Sequence, residues 1–163
     1  MLVLIEANIM DNEIVEAFSK VFLNVMPQLG ITDVEFKNIE VCDKKITTPG
    51  VVIIIGIVGE LHGNVIYAMG EESARKFASV MMGMGDIMEE FDEMAQSAVS
   101  ELGNMLAANT CIEFGAKGIT TDISTPTLMY GDFTANASFD KVVRIEMSAN
   151  GSPFYIYVSL ERK

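Results

Sequence analysis

The most constraining feature of this sequence is one long segment with helical periodicity, from about Glu89 to Thr110. With Leu102 at the centre of its apolar side, the other core candidates fall within about 60° of that residue at 100° per residue. These candidates are Phe91, Ala95, Ala98, Val99, Met105 and Leu106. A helix with one broad apolar face must be covered by other elements, so the segment predicts a helix packed on a layered core.

Two shorter segments also have helical spacing. Residues 9–26 place apolar side chains at intervals of three and four, and Pro27 is expected to mark the end of that helix. Residues 70–73 can begin a second helix, because acidic side chains in a first turn interact favourably with the helix dipole. A Gly-Met-Gly sequence at residues 83–85 should end it.

The remaining regular segments are short and rich in β-branched residues, which predicts strands. They span residues 34–41, 51–58, 65–69, 118–123, 128–139, 142–147 and 154–160. Turns are predicted at residues 48–50 and at residues 59–64, the second of which joins the strands 51–58 and 65–69 in a hairpin. A further turn is predicted at the Asn150-Gly151 dipeptide, which is typical of hairpins. The sequence therefore predicts an α+β fold, a mainly antiparallel sheet with two or three helices packed on one face. Residues 1–163 should form a single domain, the alternative being two smaller lobes.

The charge and hydropathy of the chain disfavour two classes of partner. A net charge of −12 repels nucleic acid and anionic lipid, and the eleven Lys and Arg residues form no basic cluster. The longest apolar run, residues 51–58, is far shorter than the roughly 20 residues that cross a bilayer. Residues 1–5 lack the positive flank of a signal peptide. We therefore expect a cytoplasmic protein with no nucleic-acid or membrane partner.

The residues that most often bind metals are scattered. Cys42 and Cys111 have no C-x-x-C spacing and no nearby His, which favours buried thiols over a zinc or redox site. His62 lies in a predicted turn without a second His, so a turn residue is a better interpretation than a catalytic base. Neither common glycine-rich nucleotide motif is present. The protein is expected to have no metal or cofactor of its own.

One polar group on the long helix is a candidate site. Glu101 and Asn104 are three residues apart, so they point in neighbouring directions and can contact one partner together. The small residues Ser97, Ser100 and Ala108 are the candidate partner-binding residues around them. Acidic and amide residues at this spacing also occur on many solvated helix faces. The spacing alone therefore does not distinguish a site from a solvated surface.

The sequence around Glu101 and Asn104 resembles that of a known family. Residues 92–106 resemble the signature helix of the CheC, CheX and FliY phosphatases, in which a Ser stands four residues before the Glu of E-x-x-N. Ser97, Glu101 and Asn104 match that pattern. The resemblance extends to the strand, turn and strand of residues 56–66. It also reaches the closing segment that begins at Gly151, so it covers nearly the whole chain.

Two details refine the resemblance. CheC proteins carry two E-x-x-N helices, whereas the first helix here has Glu13 and Glu16 with no Asn three residues further on. A single motif indicates the CheX branch of the family. Ala108 stands where several relatives have Gly, which leaves the core motif unchanged.

The resemblance implies an activity, a partner and a mechanism. The chain would dephosphorylate the aspartyl phosphate of a CheY-like response regulator, with Asn104 orienting the attacking water and Glu101 binding a regulator Lys. The divalent metal, Mg²⁺, would belong to the regulator, and relatives of the CheX type imply a homodimer. Two alternatives remain: a non-catalytic module that binds a receiver domain or a flagellar switch component, and a structural subunit in which both residues are merely solvated.

Overall fold

The structure is a computed structural model, which describes residues 12–163 except the side chains of residues 48, 49, 133 and 141. The described part contains three helices and five strands. In chain order these are α1 Asn12–Gln28, β1 Val34–Gly59, β2 Leu61–Met69, α2 Glu71–Met81, α3 Glu93–Ala116, β3 Thr121–Ile123, β4 Thr127–Ala149 and β5 Ser152–Arg162. No helix in this part of the chain is long and apolar enough to span a membrane.

The five strands form one antiparallel sheet in the order β2-β5-β4-β1-β3, and β2 also pairs with β1. β1 and β4 pair along most of their length, from Val34 opposite Ala149 to Ile54 opposite Thr127. Register shifts along this pair, one of them near Asp43, bend the ribbon as β-bulges do. The predicted α+β class with a mainly antiparallel sheet is confirmed.

Buried apolar side chains form one large and one small cluster, on opposite faces of the sheet. All three helices pack on one face, where the main core includes Phe18 of α1, Phe77 of α2 and Leu102 of α3. The predicted placement of the helices on one face is therefore confirmed. On the other face, residues of β1, β2, β4 and β5 form a smaller apolar cluster. It contains Ile46, Val52, Ile66, Ala68, Ala135, Ala137, Val142 and Tyr157.

The turn predicted at residues 48–50 is wrong. Strand β1 continues through it, with Pro49 opposite Asp132 and Gly50 opposite Gly131. Gly50 has a φ of 130°, and a Cβ there would lie 2.5 Å from the Met69 carbonyl oxygen. The glycine thus permits a close approach of β2 rather than a reversal of the chain. Strand β4 pairs with β1 along this whole stretch, so the two strands predicted over residues 128–147 are one continuous strand.

Element boundaries also differ from the predictions. Residues 9–11 of the first predicted helix lie outside the described residues, and α1 includes Pro27 rather than ending before it. Helix α3 starts later and runs further than predicted, to Ala116. The β1–β2 hairpin and α2 are confirmed. The β4–β5 hairpin is also confirmed, with Asn150 and Gly151 both at positive φ, as the tight hairpin turn requires.

Candidate functional site

The start of α3 is fixed by side-chain caps. The Asp92 carboxylate accepts a hydrogen bond of 2.9 Å from the Ala95 backbone N–H. The Gln96 amide donates one of 2.9 Å to the Phe91 carbonyl oxygen. The first bond satisfies an N–H group that the start of a helix leaves without an intrahelical partner, and the second satisfies the carbonyl of the residue before the cap. They explain why the helix begins at Glu93 and not at the predicted position four residues earlier.

The middle of α3 lies unusually close to the sheet. Gly103 is buried, and a Cβ built there would come within 2.8 Å of the Ile53 Cγ2 atom on β1. Real side chains do not approach so closely, so only glycine allows this helix–strand distance. Since Asn104 is the next residue along the chain, the same contact sets how far its side chain stands from the sheet.

Four of the five predicted site residues lie together. Ser97, Ser100, Glu101 and Asn104 line one groove of about 730 Å³ at the surface. Ser97 and Glu101 are exposed, whereas Ser100 and Asn104 are half-buried. Ala108 is half-buried further along the helix and does not line the groove. These four residues, spaced about one helical turn apart along α3, form one wall of the groove.

The opposite wall was not predicted. It is formed by the segment that links β3 to the start of β4, with two more residues on the helix side. The additional lining residues are Glu93, Gln96, Ile123, Ser124, Thr125, Pro126 and Leu128. Pro126 is the only local signal in that segment, and it indicates an irregular backbone without indicating a site. The segment reaches α3 because β3 pairs with the end of β1, a contact distant in sequence.

The groove is acidic. Its two ionisable lining residues are the carboxylates of Glu93 and Glu101. Within the described part of the chain, neither the Glu101 carboxylate nor the Asn104 amide forms a hydrogen bond or ion pair. The carboxylate is therefore free to bind a cation from another molecule, and the amide is free to donate and accept hydrogen bonds.

A second groove, of about 630 Å³, lies between α1 and the end of α3. Four of its charged residues are paired with each other: Lys20 lies 2.7 Å from Glu113, and Lys117 lies 3.8 Å from Glu13. The Ser19 hydroxyl donates to the backbone carbonyl of its own helix. Helix α1 therefore lacks the Glu-x-x-Asn pair: Glu13 is ion-paired, and the residue three positions after Glu16 is Ser19.

The cysteines and the histidine lie outside the groove. Cys42 and Cys111 are free and half-buried rather than buried, and burial raises the pKa of both thiols. His62 is part of strand β2, not of a turn, and its ring contacts the Phe139 ring edge-to-face at 5.5 Å. Among residues 12–163, no group of three or more His, Cys, Asp or Glu side chains could hold a metal ion.

Comparison with solved structures extends the description of the fold. A CheC-like superfamily protein from Shewanella sp. PV-4 has a TM-score of 0.82 at 22% identity, covering 93% of this chain and 99% of that one. A chain from the CheX–CheY–BeF3–Mg²⁺ complex of Borrelia burgdorferi has a TM-score of 0.72 at 23% identity, covering 92% and 96%. At these identities the likeness is one of fold.

Sequence comparison defines the family. Residues 51–146 match the family model described as chemotaxis phosphatase CheX. A relative from Thermotoga maritima, named CheY-P phosphatase CheX, is 34% identical over 140 residues, which is 85% of this chain and 89% of the relative. The resemblance noted around Glu101 and Asn104 is thereby confirmed at the level of the family. The chain belongs to the CheX family of chemotaxis phosphatases.

Proposed function

We propose that this chain is a CheY-P phosphatase, which removes the phosphoryl group from the aspartyl phosphate of a CheY-like response regulator. The observation that carries the proposal is the pairing of Glu101 and Asn104, side by side on one wall of an acidic groove and without partners in the described chain. Membership of the CheX family supports the same activity. Residues 1–163 would act as a single phosphatase domain.

The Asn104 amide positions the water that attacks the phosphoryl group. Phosphoryl transfer needs little covalent help from the protein, because most of the catalysis lies in placing the nucleophile in line and balancing charge. The water oxygen bonds to phosphorus while the bond from phosphorus to the aspartate oxygen breaks. The products are inorganic phosphate and the free regulator carboxylate, and the amide of Asn104 is unchanged.

Glu101 anchors α3 to the regulator. Its carboxylate lies about one helical turn from Asn104, and it can form a charge-assisted hydrogen bond with a regulator Lys. No ion pair within the described chain must be broken to form it. The anchor fixes the approach of the amide, while Ser97 and Ser100, both small, let the partner come close to the helix.

Replacing Glu101 with Gln should weaken docking by about tenfold and lower kcat/KM in parallel. The substitution keeps the shape of the side chain and removes the charge, which leaves the regulator Lys without its partner. The free energy of unfolding should change by less than about 0.5 kcal/mol, because the residue is exposed. A binding titration and the decay of labelled regulator phosphate measure both effects.

Glu90→Gln is the matched control, since Glu90 is exposed and acidic but does not line the groove. It should leave binding and decay unchanged. Equal losses in both variants would mean that net charge, and not a docking contact at Glu101, controls the affinity.

The metal of the reaction is proposed to belong to the regulator. The relative in the Borrelia complex is associated with CheY, BeF3 and Mg²⁺. We therefore expect a chelator to stop dephosphorylation without changing the melting temperature of this chain, and added Mg²⁺ to restore the reaction. Elemental analysis provides the second measurement, and a stoichiometric metal retained by the purified chain would contradict the proposal.

We also propose that the protein acts in the cytoplasm as a homodimer that associates through a sheet edge. Within the described chain, β1 from Val34 to Asp43 pairs only with β4, so the other edge of this half-strand presents backbone groups for pairing. Addition of an identical strand at that edge would form a symmetric dimer.

A further inference from the structure

The second wall of the groove is a short irregular segment between two stretches that pair with β1, with Ile123 opposite Ile57 before it and Thr127 opposite Ile54 after it. The ladder between β1 and β3 ends where Ile57 faces Ile123. At the next position, the Ser124 backbone N–H donates to the Gly56 carbonyl oxygen at 2.9 Å. In the other direction, the Gly56 N–H donates at 2.8 Å to the Ser124 hydroxyl oxygen, not to a backbone carbonyl. The side chain thus takes the place of the next ladder acceptor.

This substitution has a structural consequence. Because the hydroxyl satisfies the Gly56 N–H, the backbone carbonyl of Ser124 need not face β1, and the chain can leave the ladder toward α3. Thr125 and Pro126 follow at once and line the groove opposite the helix. The absence of a side chain at Gly56 favours this contact, since a Cβ there would lie 3.0 Å from the Ser124 hydroxyl oxygen.

We propose that residues 124–126 form the second half of the docking surface for the regulator's receiver domain, and that Ser124 is a positioning residue that holds this wall in place. The inference rests on the proposed function and adds to it the chemistry of the partner surface. The helix wall carries Glu93 and Glu101, whereas the opposite wall is uncharged. The regulator would place a cation against α3 and an uncharged loop against Thr125 and Pro126.

The size of a docked interface supports this assignment. A standard protein–protein interface buries about 800 Å² on each partner, a patch about 30 Å across. A helix with its side chains is only about 10–12 Å wide. A patch centred on Glu101 and Asn104 therefore extends beyond α3 on both sides, and the wall across the groove is the surface that it meets.

Blocking the wall tests the docking surface without disturbing the ladder. Thr125 is exposed, so Thr125→Trp should fold normally and fill the groove. We expect its Kd for a regulator activated with beryllofluoride to rise by about tenfold or more, with the melting temperature unchanged. Thr32→Trp is the control, because Thr32 is exposed and lies outside the groove. A Kd for Thr125→Trp within about twofold of wild type would overturn the assignment.

Ser124 is tested by separating KM from kcat. Ser124→Ala removes the hydroxyl that accepts the hydrogen bond from the Gly56 N–H. It should raise KM by about fivefold while kcat changes less than twofold, since Asn104 is untouched. Ser124→Thr keeps the hydroxyl and should restore KM. Gly56→Ala places a Cβ 3.0 Å from the Ser124 hydroxyl oxygen, so it should displace that hydroxyl and repeat the effect of Ser124→Ala. A fall in kcat with unchanged KM, or no rescue by Thr, would contradict the positioning role.

The outcomes for the two proposals can be told apart. If the wild-type chain fails to accelerate decay of the regulator phosphate, the proposed function is wrong. If the wild-type chain is active and Thr125→Trp binds and turns over the regulator normally, only the second wall is wrong. Should Ser124→Ala and Gly56→Ala fail to fold, Thr125→Trp still decides the docking surface. A loss of fold on removal of the exposed Ser124 hydroxyl would contradict a role confined to positioning the wall.

Discussion

Asn104→Ala is expected to lower kcat for the phosphorylated regulator by about a hundredfold or more, which corresponds to about 3 kcal/mol of transition-state stabilisation. The substitution removes only the amide that positions the water. The amide makes no hydrogen bond within the described chain, so its removal leaves no buried group unsatisfied and stability should change little. Decay of labelled regulator phosphate at saturating regulator measures kcat, and a titration measures binding, which should survive.

Asn109→Ala is the matched control for this experiment. Asn109 lies on the same helix and is half-buried, but its amide donates at 2.7 Å to the Met105 carbonyl oxygen and does not line the groove. Its loss should leave kcat unchanged. If Asn104→Ala also left decay unchanged, the enzymatic proposal would fail. Persistent binding would then favour a non-catalytic module that docks a receiver domain.

The helix wall of the candidate site could be predicted from sequence, because its residues are close together in the chain and helical periodicity places them. A period of 3.6 residues is sufficient to place Glu101 and Asn104 opposite Leu102 on the surface of α3, whatever the helix packs against. The same logic placed Ala108 on the polar side, yet that residue lies beyond the groove. Periodicity defines the face of a helix but not how far along it a second element approaches.

The opposite wall could not be predicted, because its position depends on contacts between residues that are distant in sequence. Ser124 is held by Gly56, 68 residues earlier, and neither residue has a neighbour in sequence that signals the contact. The turn assigned to residues 48–50 failed for a related reason. A Pro-Gly dipeptide usually punctuates the chain, but pairing with residues 131 and 132 on β4 and close approach to Met69 outweigh that local preference.

Gly103→Val should be the most damaging single substitution on α3. Its side chain would overlap Ile53, which is fully buried on β1 and cannot move away without displacing the sheet core. Overpacking of this kind costs about 3 kcal/mol, enough to lower the melting temperature by about 6–12 °C in a protein of this size. The helix would also shift outward at Asn104, and a displacement of about 1 Å can lower the rate by about a hundredfold. Thermal unfolding and phosphate decay, both recorded well below the new melting temperature, separate the two effects.

Gly115→Val provides the comparison, because Gly115 lies in the last turn of the same helix with no atom near its added Cβ. Both substitutions exchange glycine for the same β-branched residue, so their intrinsic helix preferences change alike and the difference reports the contact with Ile53. Adding Ile53→Ala to Gly103→Val should cost less than the sum of the two single changes, since the smaller residue makes room for the valine. Additive losses, or equal losses at residues 103 and 115, would show that close packing at Gly103 does not set the position of α3. The placement of Asn104 would then depend on the rest of the helix face, from Ala95 to Leu106.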